Sequence, residues 1–391
     1  MKPSDTATWR IVAAGIVALA VAMGIGRFAF TPLLPLMLRD GTLQAADGAW
    51  WAAANYAGYL AGALTASWFA ADPPRGARWA LIGVALTTLA IAAPDGAGLE
   101  LAGPLLRAAA GAFSAWALVC TSSWCLAELA RRQRPRLGAW IYTGVGLGIA
   151  LAGLLAWLGG RQPARWLWLE LGLLACAGAL LVVRGARSAP PAAAEPIGPA
   201  ARNATPGHGA LVVCYAILGF GYIVPATFLP TMARAQVDDP LVFGLTWPLF
   251  GLAAALSVAA AARWMAGWPR RQVWALAHGA MALGTALPMM TRSLGALAGS
   301  AVLVGGTFMV ATMAGHQLAR ERLAANATPL LARMTAAFAA GQIAGPLLVR
   351  ALGSGHRLGL DAVDWTHAAA TLLLGLSTVW LWHTRGRDRS P

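Results

Sequence analysis

Twelve apolar runs, separated by short polar stretches, cover most of this chain: 10–38, 49–71, 77–93, 103–130, 137–159, 165–184, 209–234, 240–262, 271–290, 294–319, 327–350 and 365–383. About 20 residues at ~1.5 Å rise span the hydrocarbon of a bilayer, so each run predicts a membrane-crossing helix. Between the sixth and seventh runs, Gly185 to Gly209 is rich in Ala, Pro and Gly, with Ala189-Pro190-Pro191 and Gly198-Pro199. That composition cannot bury a core and predicts a flexible linker. The pattern divides the chain into a six-helix unit at 1–184, a linker at 185–208 and a second six-helix unit at 209–391.

The first run contains Gly24-Ile25-Gly26-Arg27-Phe28-Ala29-Phe30-Thr31-Pro32-Leu33-Leu34-Pro35-Leu36-Met37. Arg27 lies near its middle, where a guanidinium is costly unless it faces protein, water or a ligand. Pro32 and Pro35 predict a helix that bends or opens on its outer side. The stretch returns as Gly219-Phe220-Gly221-Tyr222-Ile223-Val224-Pro225-Ala226-Thr227-Phe228-Leu229-Pro230-Thr231-Met232, offset by 195 residues. Gly111-Ala112-Phe113 recurs as Gly306-Thr307-Phe308 and Gly146 maps onto Gly341, at the same offset. A constant offset argues for a duplicated six-helix unit, an arrangement that builds many secondary transporters with the ligand held near the midplane.

Composition agrees with the pattern. The chain of 391 residues is 58% hydrophobic and 11% charged, with mean hydropathy +0.62, a membrane composition. Its net charge of +14 comes from basic residues scattered through short loops, without the basic stripe that nucleic-acid binding needs. Assigning the N-terminus to the cytoplasm puts 20 Lys and Arg on the inside and 8 outside, with Arg27 alone at depth. Both ends are then cytoplasmic by the positive-inside rule. Many of the 18 tryptophans sit near span ends, as an aromatic belt requires. Cys120, Cys125, Cys176 and Cys214 fall within apolar runs without metal spacing and read as buried thiols. Trp9 and the run after it show no cleavage signal, so the first span is read as retained.

The six-plus-six pattern, the linker and the first-helix motif together resemble the major facilitator superfamily, and more narrowly its YbfB/YjiJ-type bacterial branch. Ala54-Asn55-Tyr56-Ala57-Gly58-Tyr59-Leu60-Ala61-Gly62 and Tyr142-Thr143-Gly144-Val145-Gly146-Leu147-Gly148-Ile149 also look like that branch. The resemblance covers essentially the whole chain. It implies an all-α membrane fold of two pseudo-symmetric six-helix bundles in the bacterial inner membrane, with a central site lined by the first, fourth, seventh and tenth helices. The superfamily's acidic and basic run after the second helix is reduced here to Asp72-Pro73-Pro74-Arg75-Gly76-Ala77-Arg78. The Gly-Pro signature of many drug/proton antiporters is missing from the fifth span, although Gly345-Pro346 stands in the eleventh.

Arg27 is the leading candidate for substrate binding, since its planar fork suits a carboxylate, a phosphate or a buried acid. Its bland alternative is a structural cation satisfied by carbonyls left free near Pro32 and Pro35. Tyr222 is its positional counterpart, able to donate a hydrogen bond or simply to pack. Asn55, Tyr59 and Gln342 are polar at membrane depth and could line a cavity or glue helices. Ser114 shares one face of the fourth span with Arg107, Gly111, Leu118, Ser122 and Cys125. Arg107 is placed near the interface as a snorkelling side chain. For coupling or gating the candidates are Glu128 beside Arg131 and Arg132, His278 and His316, and the Asp72 and Arg75 loop pair. The lone histidines lack metal spacing and equally suit hydrogen-bonded packing.

The expected activity is secondary transport of a small solute, with an organic anion as the class Arg27 suggests and protons as the coupling ion. Neither a cofactor nor an enzymatic activity is expected: there is no Walker A run, no G-x-S-x-G and no cluster of acids in the spans. Drug or metabolite efflux is the alternative within the class, and a membrane-embedded enzyme or receptor a distant one. A monomer is expected. The topology predicts that an impermeant thiol reagent applied from outside labels a cysteine placed at Gly96 but not one at Ala193. The reverse labelling would invert the array.

Overall fold

The computed structural model describes residues 3–70, 72–93, 97–186, 208–237, 244–322, 328–353 and 359–384. Among these residues the chain forms twelve helices and no strand. It divides into two compact units, Met1–Gly198 with Asp239–Ala255, and Pro199–Asp238 with Leu256–Pro391. The expected linker at 185–208 lies mostly outside the described residues; Gly185 and Ala186 extend the sixth helix and His208 opens the seventh.

In the first unit, the first span is a composite of α-helix Pro3–Leu19, π-helix Ala20–Phe28 and α-helix Phe30–Arg39. The second span is Ala45–Phe69, and the third is Pro73–Ile91. Asp72 starts the third by accepting the Arg75 N–H at 3.2 Å, with prolines filling the first turn where no donor is needed. The fourth span, Ala97–Arg131, is stopped by Gln133 in the left-handed region at φ 58°. The fifth begins as a 3₁₀ turn at Pro135–Tyr142 and continues as α-helix Thr143–Leu158; the sixth is Ala164–Ala186. The first part of the eighth span, Thr246–Trp264, packs in this unit. Residues 240–243 of the expected run lie outside the described residues, and Gly244-Leu245 form a turn before Thr246.

The second unit holds the seventh span His208–Arg234, the ninth Arg270–Met290, the tenth Leu294–Arg322, the eleventh Thr328–Leu352 and the twelfth Ala362–His383. The twelfth opens with a capping box between Asp361 and Asp364, and Arg292 donates to Asp364 at 2.6 Å.

Nine helices contain an 18-residue stretch apolar enough to cross a membrane among the described residues. The second, third and twelfth are helices that miss this mark. The second carries Trp50, Trp51, Asn55, Tyr56 and Tyr59, the third starts with Pro73, Pro74 and Arg75, and the twelfth holds Asp364 and His367. Large apolar side chains nevertheless face outward from all three, including Leu64, Trp68, Leu86, Leu372 and Leu376. Such a surface is unstable in water and suits lipid.

Small residues set how closely the helices approach. A Cβ on Gly58 would lie 1.9 Å from the Ala108 carbonyl oxygen, and one on Gly111 2.1 Å from that of Asn55. Spans two and four therefore touch backbone to backbone. Spans seven and eleven cross in the same way, with Gly219 against Phe338 and Gly341 against Ala216. The equivalent spans of the first half, one and five, cross likewise, with Gly144 against Ile16 and Gly148 against Ala20, but single glycines do not all keep their partners. Gly146 meets Gly251 and Ala255 of the eighth span, whereas its counterpart Gly341 meets the seventh.

Gly111→Ala should lower stability by about 1–3 kcal/mol, the cost of overpacking a close crossing. Gly375→Ala, where nothing lies within 4 Å, should leave stability unchanged or raise it by up to ~1 kcal/mol. Thermal unfolding of the two variants in detergent checks the contrast.

Candidate functional site

The site grows from the break in the first span. Pro32 has no N–H, so it cannot serve the carbonyl of Phe28 in an α-helical pattern or that of Arg27 in a π-helical one. Carbonyls left open at membrane depth must find other donors. Arg107 supplies them. Its Nη1 donates to Gly26 O at 3.1 Å and its Nη2 to Arg27 O at 3.0 Å, while its guanidinium lies 4.9 Å from the Phe30 ring centre. Asn55 reinforces the join by donating to Arg107 O at 2.8 Å and, more weakly, to Gly26 O at 3.4 Å. Both side chains are buried, and the missing Cβ of Gly111 lets span two come close enough to place Asn55 there.

This overturns the interfacial placement of Arg107. The fourth helix starts at Ala97 and not at 103, so Arg107 lies almost three turns inside it. It also reassigns the structural-cation role considered for Arg27: the carbonyls of residues 26 and 27 are taken by Arg107.

Arg27 is 2% exposed and projects from the π segment onto aromatic rings of the second span. Its Cζ stands 3.7 Å from the Tyr59 ring centre, 5.6 Å from Tyr56 and 5.5 Å from Phe28. Stacking of this kind contributes roughly 1–2 kcal/mol when desolvated. It uses the face of the guanidinium, while N–H bonds radiate from its edge in the plane where a carboxylate binds. Ser114 does not present a free hydroxyl to this site: it donates to Ala110 O at 2.7 Å, and the bare Gly26 backbone packs against it.

In the second unit the corresponding position is Tyr222, fully buried. Its ring is stacked between Phe308, 5.1 Å away, and Phe338, 5.4 Å away, and its hydroxyl accepts from Gln342. About two turns earlier in the helix, Tyr215 hydrogen-bonds His316 Nε2 at 2.9 Å and stacks on the same imidazole. Two polar–aromatic clusters thus occupy equivalent places in the repeat, one cationic and one neutral.

Residues 19–379 match the family model described as "Uncharacterised MFS-type transporter YbfB". The chain belongs to this family. No curated protein matches it significantly. Among solved structures, a D-xylose–proton symporter aligns over 96% of this chain and 97% of its own, with TM-score 0.72 and 15% identity. The nucleoside transporter NupG aligns over 96% of this chain and 100% of its own, with TM-score 0.69 and 13% identity. At these identities the likeness establishes the major facilitator fold alone. This member of the YbfB-type family is therefore an integral membrane transporter, and its family and fold are those of proteins that move solutes.

The expected coupling and gating residues are not gathered around Arg27. Glu128 is buried at the end of the fourth span and forms ion pairs with Arg131 and, at 2.8 Å, with Arg132. Asp72 and Arg75 are exposed, and their observed link is the helix cap. His278 is fully buried between Trp274 and Ser377. The indole N–H can only donate, and it reaches His278 Nε2 at 2.8 Å, so the neutral ring carries its proton on Nδ1, 2.9 Å from Ser377 Oγ. His316 is half-buried and keeps a hydroxyl partner. Ser122 accepts a hydrogen bond from Tyr142 at 3.4 Å. Among the described residues no cluster of His, Cys, Asp or Glu could hold a metal.

Proposed function

We propose that this YbfB-type transporter carries a small organic anion across the bacterial inner membrane by alternating access, driven by the proton gradient. Both termini lie in the cytoplasm in this reading, and the protein works as a monomer. The observation that carries it is the Arg27 guanidinium, buried in a π-helical break and stacked face-on against Tyr59. A desolvated guanidinium is the side chain best suited to charge-assisted, bidentate pairing with a carboxylate. Asn55, Tyr59, Ser114, Tyr222 and Gln342 are assigned to the same task of shaping the binding region. His316, with Tyr215 as its hydrogen-bond partner, is assigned the proton, because imidazole alone among these groups ordinarily titrates near neutral pH. Glu128, His278, Asp72 and Arg75 complete the coupling and gating set as secondary members.

A second reading, efflux of amphipathic or aromatic compounds, draws on the stacked rings of Tyr222, Phe308 and Phe338. Counterflow in proteoliposomes with carboxylates, organic phosphates, neutral sugars and aromatic cations separates the two. An anion preference supports the first, and transport of cations without anions replaces it by the second.

Arg27→Lys keeps charge but loses the planar fork, so both Arg27→Lys and Arg27→Ala should weaken anion affinity at least tenfold, the equivalent of about 1.4 kcal/mol. A folded Arg27→Ala protein with unchanged anion affinity would exclude the anion site. His316→Gln should abolish accumulation driven by a pH gradient while leaving counterflow intact. Full gradient-driven uptake by His316→Gln would move the proton to another group, Glu128 first.

A further inference from the structure

The two halves of the repeat provide an internal comparison. The first span contains a nine-residue π segment, Ala20–Phe28, whereas the seventh is α-helical throughout His208–Arg234 despite Pro225 and Pro230. Those prolines stand at the positions offset by 195 from Phe30 and Pro35. Pro32, in contrast, is matched by Thr227, so the first span carries a proline next to the break that the seventh lacks. The two halves differ as well at the residue facing the break. Carrying the same offset along the fourth span, where Gly111 pairs with Gly306, places Val302 opposite Arg107. Val302 is 45% exposed, while Arg107 is 2% exposed and donates to two carbonyls of the first span. The half that has both Pro32 and the arginine has the π-helix, and the half that has neither is α-helical.

We infer that Arg107 is a positioning residue: by holding the Gly26 and Arg27 carbonyls it keeps the first span in π register, and that register turns Arg27 onto Tyr59. A π segment contains one residue more than the α-helix of equal turns. Converting it to α would rotate the flanking residues by about 100° relative to each other, the angular step of one residue at 3.6 per turn. Arg27 would then leave the face that meets the second span. The guanidinium fork is what the task requires, because two N–H groups reach adjacent carbonyls in one plane. A lysine ammonium has three donors at a single point and cannot bridge both carbonyls with the same geometry. The inference rests on the anion-transport reading only for its consequence, which is that Arg107 sets anion affinity through Arg27 without touching the anion.

The test needs no knowledge of the solute. The full-length protein in detergent is treated with phenylglyoxal, which modifies guanidinium groups, and the Arg27 peptide is followed by mass spectrometry. Hydrogen exchange of amides 24–31 reports the register, with the α-helical stretch 219–232 as the reference. In Arg107→Met, Arg27 should be modified about tenfold faster, the scale expected when a charged hydrogen bond to a carbonyl is lost. Exchange in 24–31 should change and that in 219–232 should not. Arg107→Met combined with Pro32→Ala returns a backbone donor to the first span. It should regain thermal stability, yet leave Arg27 fast-reacting. Arg107→Lys should fall between wild type and Arg107→Met. Wild-type reactivity of Arg27 in any folded Arg107 variant overturns the inference. So does a double variant that restores both stability and Arg27 protection, because Arg107 would then be only a cap. If neither methionine variant folds, Arg107→Lys decides: wild-type labelling refutes the positioning role and faster labelling upholds it. Arg27→Ala retaining anion affinity would remove the transport consequence while leaving these labelling results valid.

Discussion

A carbonyl oxygen inside a bilayer has no water to turn to, and the first span of this protein is built around that constraint. Pro32 removes a donor in the middle of a membrane helix, and the chain answers with a wide π turn and a guanidinium from the fourth span. The solution buries two arginines side by side, one occupied with backbone carbonyls and the other stacked on tyrosine. Burying a cation is costly unless its hydrogens and its charge both find counterparts. Arg107 finds them in carbonyl dipoles and the Phe30 ring, Arg27 in the electron-rich faces of Tyr59 and Tyr56.

Glycine makes this arrangement reachable. Span two must lie against span four closely enough for Asn55 to touch the Arg107 carbonyl, and a side chain at Gly58 or Gly111 would collide with opposing backbone. The same device recurs where spans seven and eleven cross at Gly219 and Gly341, bringing Phe338 and Gln342 beside Tyr222. The close crossing of spans one and five is matched by that of spans seven and eleven, while the chemistry of the two halves differs. One became cationic and broken, the other neutral, aromatic and regular.

The two units thus present different chemistry, a guanidinium over a tyrosine ring in one and stacked aromatic rings in the other. The histidines diverged as well. His278 is fixed between a donor and a hydroxyl in a packed interior, while His316 pairs with a tyrosine and is partly exposed. Two histidines that composition presents as equals are thereby separated by their surroundings.

Membrane insertion, the count of twelve helices and the internal repeat were legible in the sequence, because hydropathy and helix length answer to the bilayer locally, residue by residue. Arg27 and the Pro32–Pro35 break were also visible, since a charge and missing N–H groups at depth are conspicuous without knowing any neighbour. The role of Arg107 was not. A start drawn at 103 placed it at the surface, and only the helix beginning at Ala97 carries it inward to the broken span. The misreading has a physical origin: local apolarity marks where a helix enters lipid, but not where a protein-covered helix begins. The hydrogen bond of Ser114 was hidden for a related reason, because a hydroxyl can turn back to its own helix once a bare glycine fills the space before it. The repeat pairing of Gly146 with Gly341 holds in sequence and fails in contacts, as the helix that meets each glycine is chosen by packing between spans. Sequence by itself determined which residues must lie in the membrane; tertiary structure decided which polar groups satisfy one another across spans, because those partners are 20 to 120 residues apart along the chain.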